Sequence, residues 1–222
     1  MGPIVVAVFL AVAPPGLESA RDRQDRTELQ RMAEESAAAA EKAPKDADAQ
    51  YRAALVSSYL AEVALELRDR KLAEQAAVRG VRAAEQAVAL KPNTAEFYRV
   101  LGTLCGQVVP AANVLAGLSY AKRAKDAIDK AIALDPKSAA VYLARGVGNY
   151  YLPAALGGGL DLAIADFRQA ITIDPKDAEA FLWLGLALRK QNKDADARQA
   201  FAKSVTLNPQ RVWAKQQLDK TP

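Results

Sequence analysis

The sequence contains no histidine, one cysteine and two tryptophans in 222 residues. Lack of histidine removes the commonest general base, the usual catalytic triads and the commonest metal ligand. A single thiol, Cys105, leaves no disulfide within the chain and no cysteine-rich metal site. Aromatics make up 6% of the residues although hydrophobic residues make up 51%, so alanine carries much of the apolar content. Alanine has the highest helix propensity and lets helices approach closely, which points to packed helices. A net charge of +4 is mild. The basic residues Lys122, Arg123, Lys125 and Lys130 are not interleaved with aromatics, so they read as a solvated helix face and no nucleic-acid partner is expected. No P-loop or Rossmann spacing occurs, and no cofactor or metal is expected.

The N-terminus differs in kind. Ile4 to Ala13 (IVVAVFLAVA) is an unbroken apolar run of ten residues. A bilayer span needs about twenty, so no membrane span is expected. The run has the length of a signal-peptide core, and Pro14–Ala20 offers a cleavage site after Ser19 or Ala20. Residues 1–20 are therefore read as a signal peptide or apolar N-terminal segment, residues 21–222 as the folded part, and the location as periplasmic or secreted.

The rest repeats. ALKP (89–92), ALDP (133–136), TIDP (172–175) and TLNP (206–209) follow an earlier EKAP that ends at Pro44. The prolines lie at 44, 92, 136, 175 and 209, separated by 48, 44, 39 and 34 residues. The last gap equals the tetratricopeptide period. Within it fall Phe181, Leu184, Gly185, Leu188, Ala197, Phe201, Ser204 and Pro209. Tyr142, Gly146, Ala163, Phe167, Ala170 and Pro175 recur in the unit before. Tyr98, Leu101, Gly102, Ala124, Ile128, Ala131 and Pro136 recur in the one before that. On these residues the chain resembles the tetratricopeptide repeat (TPR) family. The resemblance implies an all-α fold, a right-handed helical solenoid of about ten helices. A lone leading helix covers 24–42, a degenerate unit 47–92, and further units 93–136, 137–175 and 176–211. A capping helix covers 210–219, since terminal repeats must hide their apolar faces.

Relative to 34, the first three units carry extra length between their paired helices. In 47–92 it is expected to lengthen both helices. In 93–136 it is Gly106–Asn113, and in the third it is the stretch around Leu152–Gly159. Proline and glycine are poor helix-interior residues, so Pro110, Asn113, Pro153 and Gly157, Gly158 and Gly159 are placed at enlarged turns on one edge of the array. Glycine N–H groups ahead of a helix also suit an anion.

The resemblance places first helices on a concave face. It points there Glu96, Arg99, Thr103 and Gln107, then Leu143, Val147, Tyr150 and Tyr151, then Glu179, Leu182, Leu186, Arg189 and Lys190. The lysine and asparagine clamp of chaperone-binding members is absent. An apolar centre with Arg99, Arg189 and Lys190 at the rim suits a peptide or helix laid in the groove, or cover by the chain's own N-terminal segment. Cys105 falls at a core position. Asp161, Asp166, Asp194 and Asp196 read as caps or solvated faces. The expectation is a non-enzymatic protein-interaction scaffold with a protein or peptide partner; self-association is left open. The alternative is a periplasmic transport accessory for a small solute, since LP-x-x-LGG before a second helix resembles the T-component of tripartite transporters.

Overall fold

Five prolines punctuate the fold. The residue before a proline is pushed out of helical geometry by the proline ring. Here Ala43, Lys91, Asp135, Asp174 and Asn208 all have φ between −127° and −142° and ψ between 63° and 94°. A computed structural model describes residues 13–222. It contains eleven α-helices and, among the described residues, no strand. They are α1 (Leu17–Asp22), α2 (Arg26–Lys42), α3 (Ala47–Glu66), α4 (Arg70–Leu90), α5 (Ala95–Val108) and α6 (Val114–Leu134). Then follow α7 (Ala139–Tyr151), α8 (Leu160–Ile173), α9 (Ala178–Lys190), α10 (Asp194–Leu207) and α11 (Val212–Asp219), with one 3-10 turn at Ala154–Leu156. Each punctuating proline lies two residues past the end of α2, α4, α6, α8 or α10.

Two residues beyond each proline stands the N-cap of the next helix, and at two of the five an aspartate side chain caps it. Asp46 accepts hydrogen bonds from the N–H of Asp48 and Ala49, and Asp177 from those of Glu179 and Ala180. These bonds satisfy otherwise orphaned donors of the first helical turn. Helices then alternate in direction, each packed on the next. The contacts α3–α5, α5–α7 and α7–α9 put the first helix of each pair on the inside of the array. The all-helical TPR solenoid expected from the sequence is thus the fold observed.

Paired helices meet through small residues. A Cβ added to Gly146 of α7 would lie 2.5 Å from Cε1 of Phe167 on α8, and one at Gly185 of α9 would lie 2.6 Å from Cε1 of Phe201 on α10. The core is thinnest between α6 and α7, where the buried apolar residues are Ile128, Ala131 and Val141. Larger clusters lie on either side, over α1–α5 and over α8–α11.

Three details depart from expectation. The eleventh helix is α1, and it crosses the boundary placed after residue 20. Leu17 and Ala20 are wholly buried in the first cluster. The apolar run before Ala13 lies outside the described residues. Second, α5 continues through Gly106 to Val108, and the turn is only Val109–Asn113. Most extra length in that unit is helix: α6 has 21 residues against 14 in α10, about two more turns. In 47–92, as expected, both α3 and α4 are long, at 20 and 21 residues. Third, the glycine turn is closed on itself. The N–H groups of Gly157, Gly158 and Gly159 donate to Ala154, Pro153 and Asn149 carbonyls, so none is free for an anion. Gly157 and Gly159 have φ of +85° and +118°, and a Cβ on Gly158 would collide with the Leu152 carbonyl.

The glycines of α7 give a paired test. Gly146→Ala should destabilise by about 1–3 kcal/mol, because Phe167 is enclosed and cannot move aside. Gly148→Ala in the same helix faces open space. It should be neutral or add roughly 0.5–1 kcal/mol through helix propensity. Denaturant melts of both variants check the pair.

Candidate partner groove

The concave face is lined by α3, α5, α7 and α9, and much of it is already occupied. On α5, Arg99 donates to Glu96 through Nε (2.6 Å) and Nη2 (2.5 Å), and the Tyr51 hydroxyl of α3 donates to Glu96 at 2.9 Å. Burial acts to raise the Glu96 carboxyl, but the Arg99 charge and these hydrogen bonds hold it below its ordinary value. Gln107 donates to the Ser58 carbonyl at 3.1 Å and accepts from the Ser58 hydroxyl at 3.3 Å. Thr103 is half-buried between them. Glu96 and Gln107 therefore join α5 to α3, Arg99 holds Glu96 from the same helix, and the buried Thr103 hydroxyl has no hydrogen-bond partner among the described residues.

The apolar centre is also partly claimed. Leu182 and Leu186, placed by spacing on the open face, are buried in the protein's own core with Trp213 and Leu218 of α11 packed against it. The terminal helix lies where a partner's apolar side chains were expected. Leu143, Val147 and Tyr150 are half-buried against the same cluster. Of the three expected rim cations, only Lys190 is exposed. Its Nζ sits 4.4 Å above the Tyr150 ring, within cation–π range. Arg189 is held by Gln217 (2.6 Å) and Thr221 (3.1 Å), with its guanidinium over Phe201.

What remains is an aromatic platform. Trp183 stands at its centre, with ring centroids 5.6 Å from Tyr150, 6.0 Å from Tyr151 and 5.5 Å from Trp213, all edge-on. Tyr151 is 61% exposed. Its hydroxyl is pushed up to about 12 by local burial, then by Tyr150 and the carboxylates of Glu66 and Glu62. The platform thus borders an acidic cluster. Sequence spacing put Tyr150 and Tyr151 here but missed Trp183, which falls on no signature position of the repeat.

That acidic cluster surrounds Arg211, which has no solvent exposure. Its Nε donates to Glu179 (2.7 Å), its Nη1 to Glu66 (3.1 Å) and its Nη2 to Glu62 (2.7 Å) and Glu66. Arg21 of α1 stands beside it, 2.7 Å from Asp22 and 3.7 Å from Glu179. Asn208 donates to Asp22 at 2.8 Å. The first helix and the last are therefore joined across the groove by polar side chains. Glu179, expected to face a partner, is spent on this junction. At this end of the concave face α1 packs on α2 and α3. Sequence reasoning missed Arg211, although a signal existed. It stands two residues after Pro209, where the other units have Asp46, Thr94, Ser138 and Asp177. A cation opposes the helix dipole there and needs carboxylates nearby.

The enlarged-turn residues Pro110, Asn113, Pro153 and Gly157 lie exposed at the opposite side of the pairs from the proline turns, with Gly158 buried beneath. Asn113 caps α6 by accepting from Ala116. Cys105 is buried, and burial pushes its thiol up to about 11. Asp166, read as a surface acid, is instead buried and accepts from Arg145 (2.6 Å) and Asn149 (2.8 Å). Among the described residues no cluster of His, Cys, Asp and Glu is placed to hold a metal, and no helix is long and apolar enough to cross a membrane. Two clefts of about 320 and 430 Å³ lie between α2 and α4 and along α4.

The Arg211 cluster sets a pH dependence. Burial raises the Glu62 carboxyl to about 7; Arg211 and Arg21 oppose this, and Glu179 and Glu66 add to it. Glu66 is raised too, for the same first cause. A carboxyl with a raised folded-state pKa binds a proton that the unfolded chain has released between pH 4.5 and about 7. Its contribution is present at the low end of that window and is lost as pH rises through 7. With no histidine to titrate there, melting temperature should fall from pH 5 to pH 8. Glu62→Gln should flatten that slope, whereas Arg211→Gln should cost about 3–5 kcal/mol at pH 8 by leaving carboxylates unpaired. Thermal melts across pH check both.

No curated protein matches the chain. Two TPR repeat families match, over residues 156–192 and 178–211. Among solved structures, the thermophilic TPR protein TTC0263 of Thermus thermophilus is similar at 20% identity and a TM-score of 0.64. The likeness covers 91% of this chain and 97% of that one, and it shows the shared fold. PilF of Pseudomonas aeruginosa is 21% identical over 77% of this chain and 68% of that one, with a TM-score of 0.49. YrrB, a TPR protein with an unusual peptide-binding site, is 20% identical over 93% and 91%, with a TM-score of 0.44. The chain is a TPR protein, a fold class whose general role is protein–protein interaction. Its longest match begins at Leu17, where α1 begins, and ends at Leu152, just past the end of α7. Because that match, to regulator of microtubule dynamics protein 1-3, spans residues 17–152 and so more than half of the chain, the protein belongs to that family.

Proposed function

We propose that the protein is a non-enzymatic scaffold that holds a segment of a protein partner on the Trp183 platform, and that it works after export. The observation that carries this reading is Tyr151, a large aromatic left 61% exposed at the end of α7, with its ring against Trp183 and Tyr150, Lys190 over the latter, and the Glu62 and Glu66 carboxylates near enough to act on its hydroxyl. Exposed aromatics beside charge are typical binding anchors. The platform suits an extended segment carrying an apolar or aromatic residue and a cation, the latter drawn by the carboxylates. The bound segment is shorter than a full-length groove allows, because α1 and α11 fill both ends. The family's description makes a cytoskeletal polymer one partner class to include in any capture.

Export of this domain is compatible with its fold only if α1 survives. A cut after Ser19 or Ala20 would remove wholly buried Leu17 and leave Arg21 and Asp22 at a frayed terminus. The apolar segment is therefore proposed to remain attached or to be cut before Leu17.

Two measurements bear on these readings. Tyr151→Ala should keep the wild-type melting temperature and lose about 1–3 kcal/mol of affinity for a captured partner. Unchanged affinity would move the site elsewhere. Mass spectrometry of native protein from the envelope fraction should find Leu17 retained; an N-terminus at Arg21, or purely cytosolic protein, overturns the export proposal.

A further inference from the structure

The large apolar residues left exposed are not spread evenly. Among the described residues, seven of the eight lie at turns within helix pairs, on one edge of the array; the exception is Leu90. Val114 and Leu115 are 80% and 82% exposed and Leu118 follows one turn later, all on the two additional turns that α6 has over α10. The next turn along the edge presents Leu156 and Leu162. Residues 100–121 and 146–160, which contain these two turns, carry no charged side chain. The opposite edge, with the proline turns, carries Lys45, Asp46, Lys91, Lys137, Lys176 and Asp177.

Charge returns on both flanks of the apolar stretch. On one side the α3–α4 turn exposes Arg68, Arg70 and Lys71; on the other the α9–α10 turn exposes Lys190 and Lys193. Acids offset part of this charge: Asp194 and Asp196 stand exposed beside Lys193, so the net positive flank is the α3–α4 turn, and the other acids are occupied. Asp69 caps α4 by accepting from Leu72 and pairs with Arg26 at 3.4 Å, and Asp161 accepts from Gln191 at 2.7 Å. An apolar centre whose one charge, Asp161, is hydrogen-bonded to Gln191, with a net positive turn on its α3–α4 side, matches an anionic bilayer surface, where aliphatic tips enter the headgroup boundary and lysine and arginine meet lipid phosphates. Single exposed aliphatics need no explanation, but adjacent ones on consecutive turns mark a contact surface.

We infer that this edge docks the protein peripherally on anionic membranes through the tips of the α5–α6 and α7–α8 turns. Tyr151 and Lys190 adjoin this edge and belong to the Trp183 platform, but the tips that make the contact, Val114, Leu115, Leu118, Leu156 and Leu162, do not, so variants at those tips test it independently of partner binding there. The contact needs no spanning helix.

Flotation of the full chain with phosphatidylcholine vesicles, with and without about three parts in ten phosphatidylglycerol, tests it. The expected result is strong partition to anionic vesicles, weaker partition to neutral ones, and a loss of roughly tenfold or more for Leu115→Ser with Leu118→Ser. Both side chains are exposed, so the melting temperature should be unchanged. Lys71→Gln with Lys193→Gln should reduce partition at low salt and matter little at high salt. The run before residue 13 is common to all variants, so differences among them belong to the turns. Amide exchange over 109–118 should slow when vesicles are added. Unchanged exchange, or equal flotation of all variants, overturns the inference. So does vesicle-independent self-association in sedimentation that Leu115→Ser abolishes, which would make a second copy the occupant.

Discussion

What the concave face can hold depends on the guanidinium of Arg211. A fully buried charge survives only when its hydrogen bonds are met by opposite charge. Meeting them draws Glu62 and Glu66 from α3, Glu179 from α9 and the Arg21–Asp22 pair from α1 to one point. Repeat arrays ordinarily touch only their neighbours. Here residues 145 to 190 positions apart in the chain are hydrogen-bonded. The surrounding acids outnumber the cations, four carboxylates to two guanidinium groups, and that imbalance together with burial lifts the Glu62 carboxyl toward neutrality. One side chain thereby ties α1, α3, α9 and the start of α11 together at one end of the concave face.

The two edges of the array have different chemistry for a topological reason. Proline turns join one pair to the next, and their geometry sets how pairs stack, so they keep one pattern of proline followed by a capping or charged residue. Turns within a pair lie where the chain is free to lengthen without disturbing the stack. Longer loops and longer helices at such sites cost little, because their backbone is solvated or internally bonded. The glycine turn after α7 is bonded entirely to itself, and the lengthened α6 projects its first turns. Added length there leaves apolar side chains at the tips that the core does not need.

Local rules made most of the architecture legible. Proline spacing marked the helix ends because a pre-proline residue cannot remain helical. Gly146 and Gly185, one unit apart, marked the close contacts because only a missing side chain admits Phe167 and Phe201. The turn at Val109–Asn113 was less legible: α5 extends through Val108 into a stretch whose glycine and proline suggested a longer turn. Gln107 continues the helix readily, Val108 is buried in the core, and Gly106 faces open space and breaks nothing.

The amino-acid sequence alone determined the repeat, its all-helical character, the order of its pairs and which edge carries the long turns. These follow from backbone geometry and from side chains within one or two helices of each other. Only the tertiary structure decided which inward positions stay open. Leu182 and Leu186 share a face with true groove positions, yet α11 folds back to bury them. Leu17 and Ala20, which the sequence groups with the N-terminal segment, are buried in the core because α1 packs on α2 and α3. Trp183 becomes the centre of the aromatic platform because α7 and α11 bring their rings to it. Each outcome depends on elements far apart in the chain, and helical periodicity records which residues share a face but not what arrives to cover it.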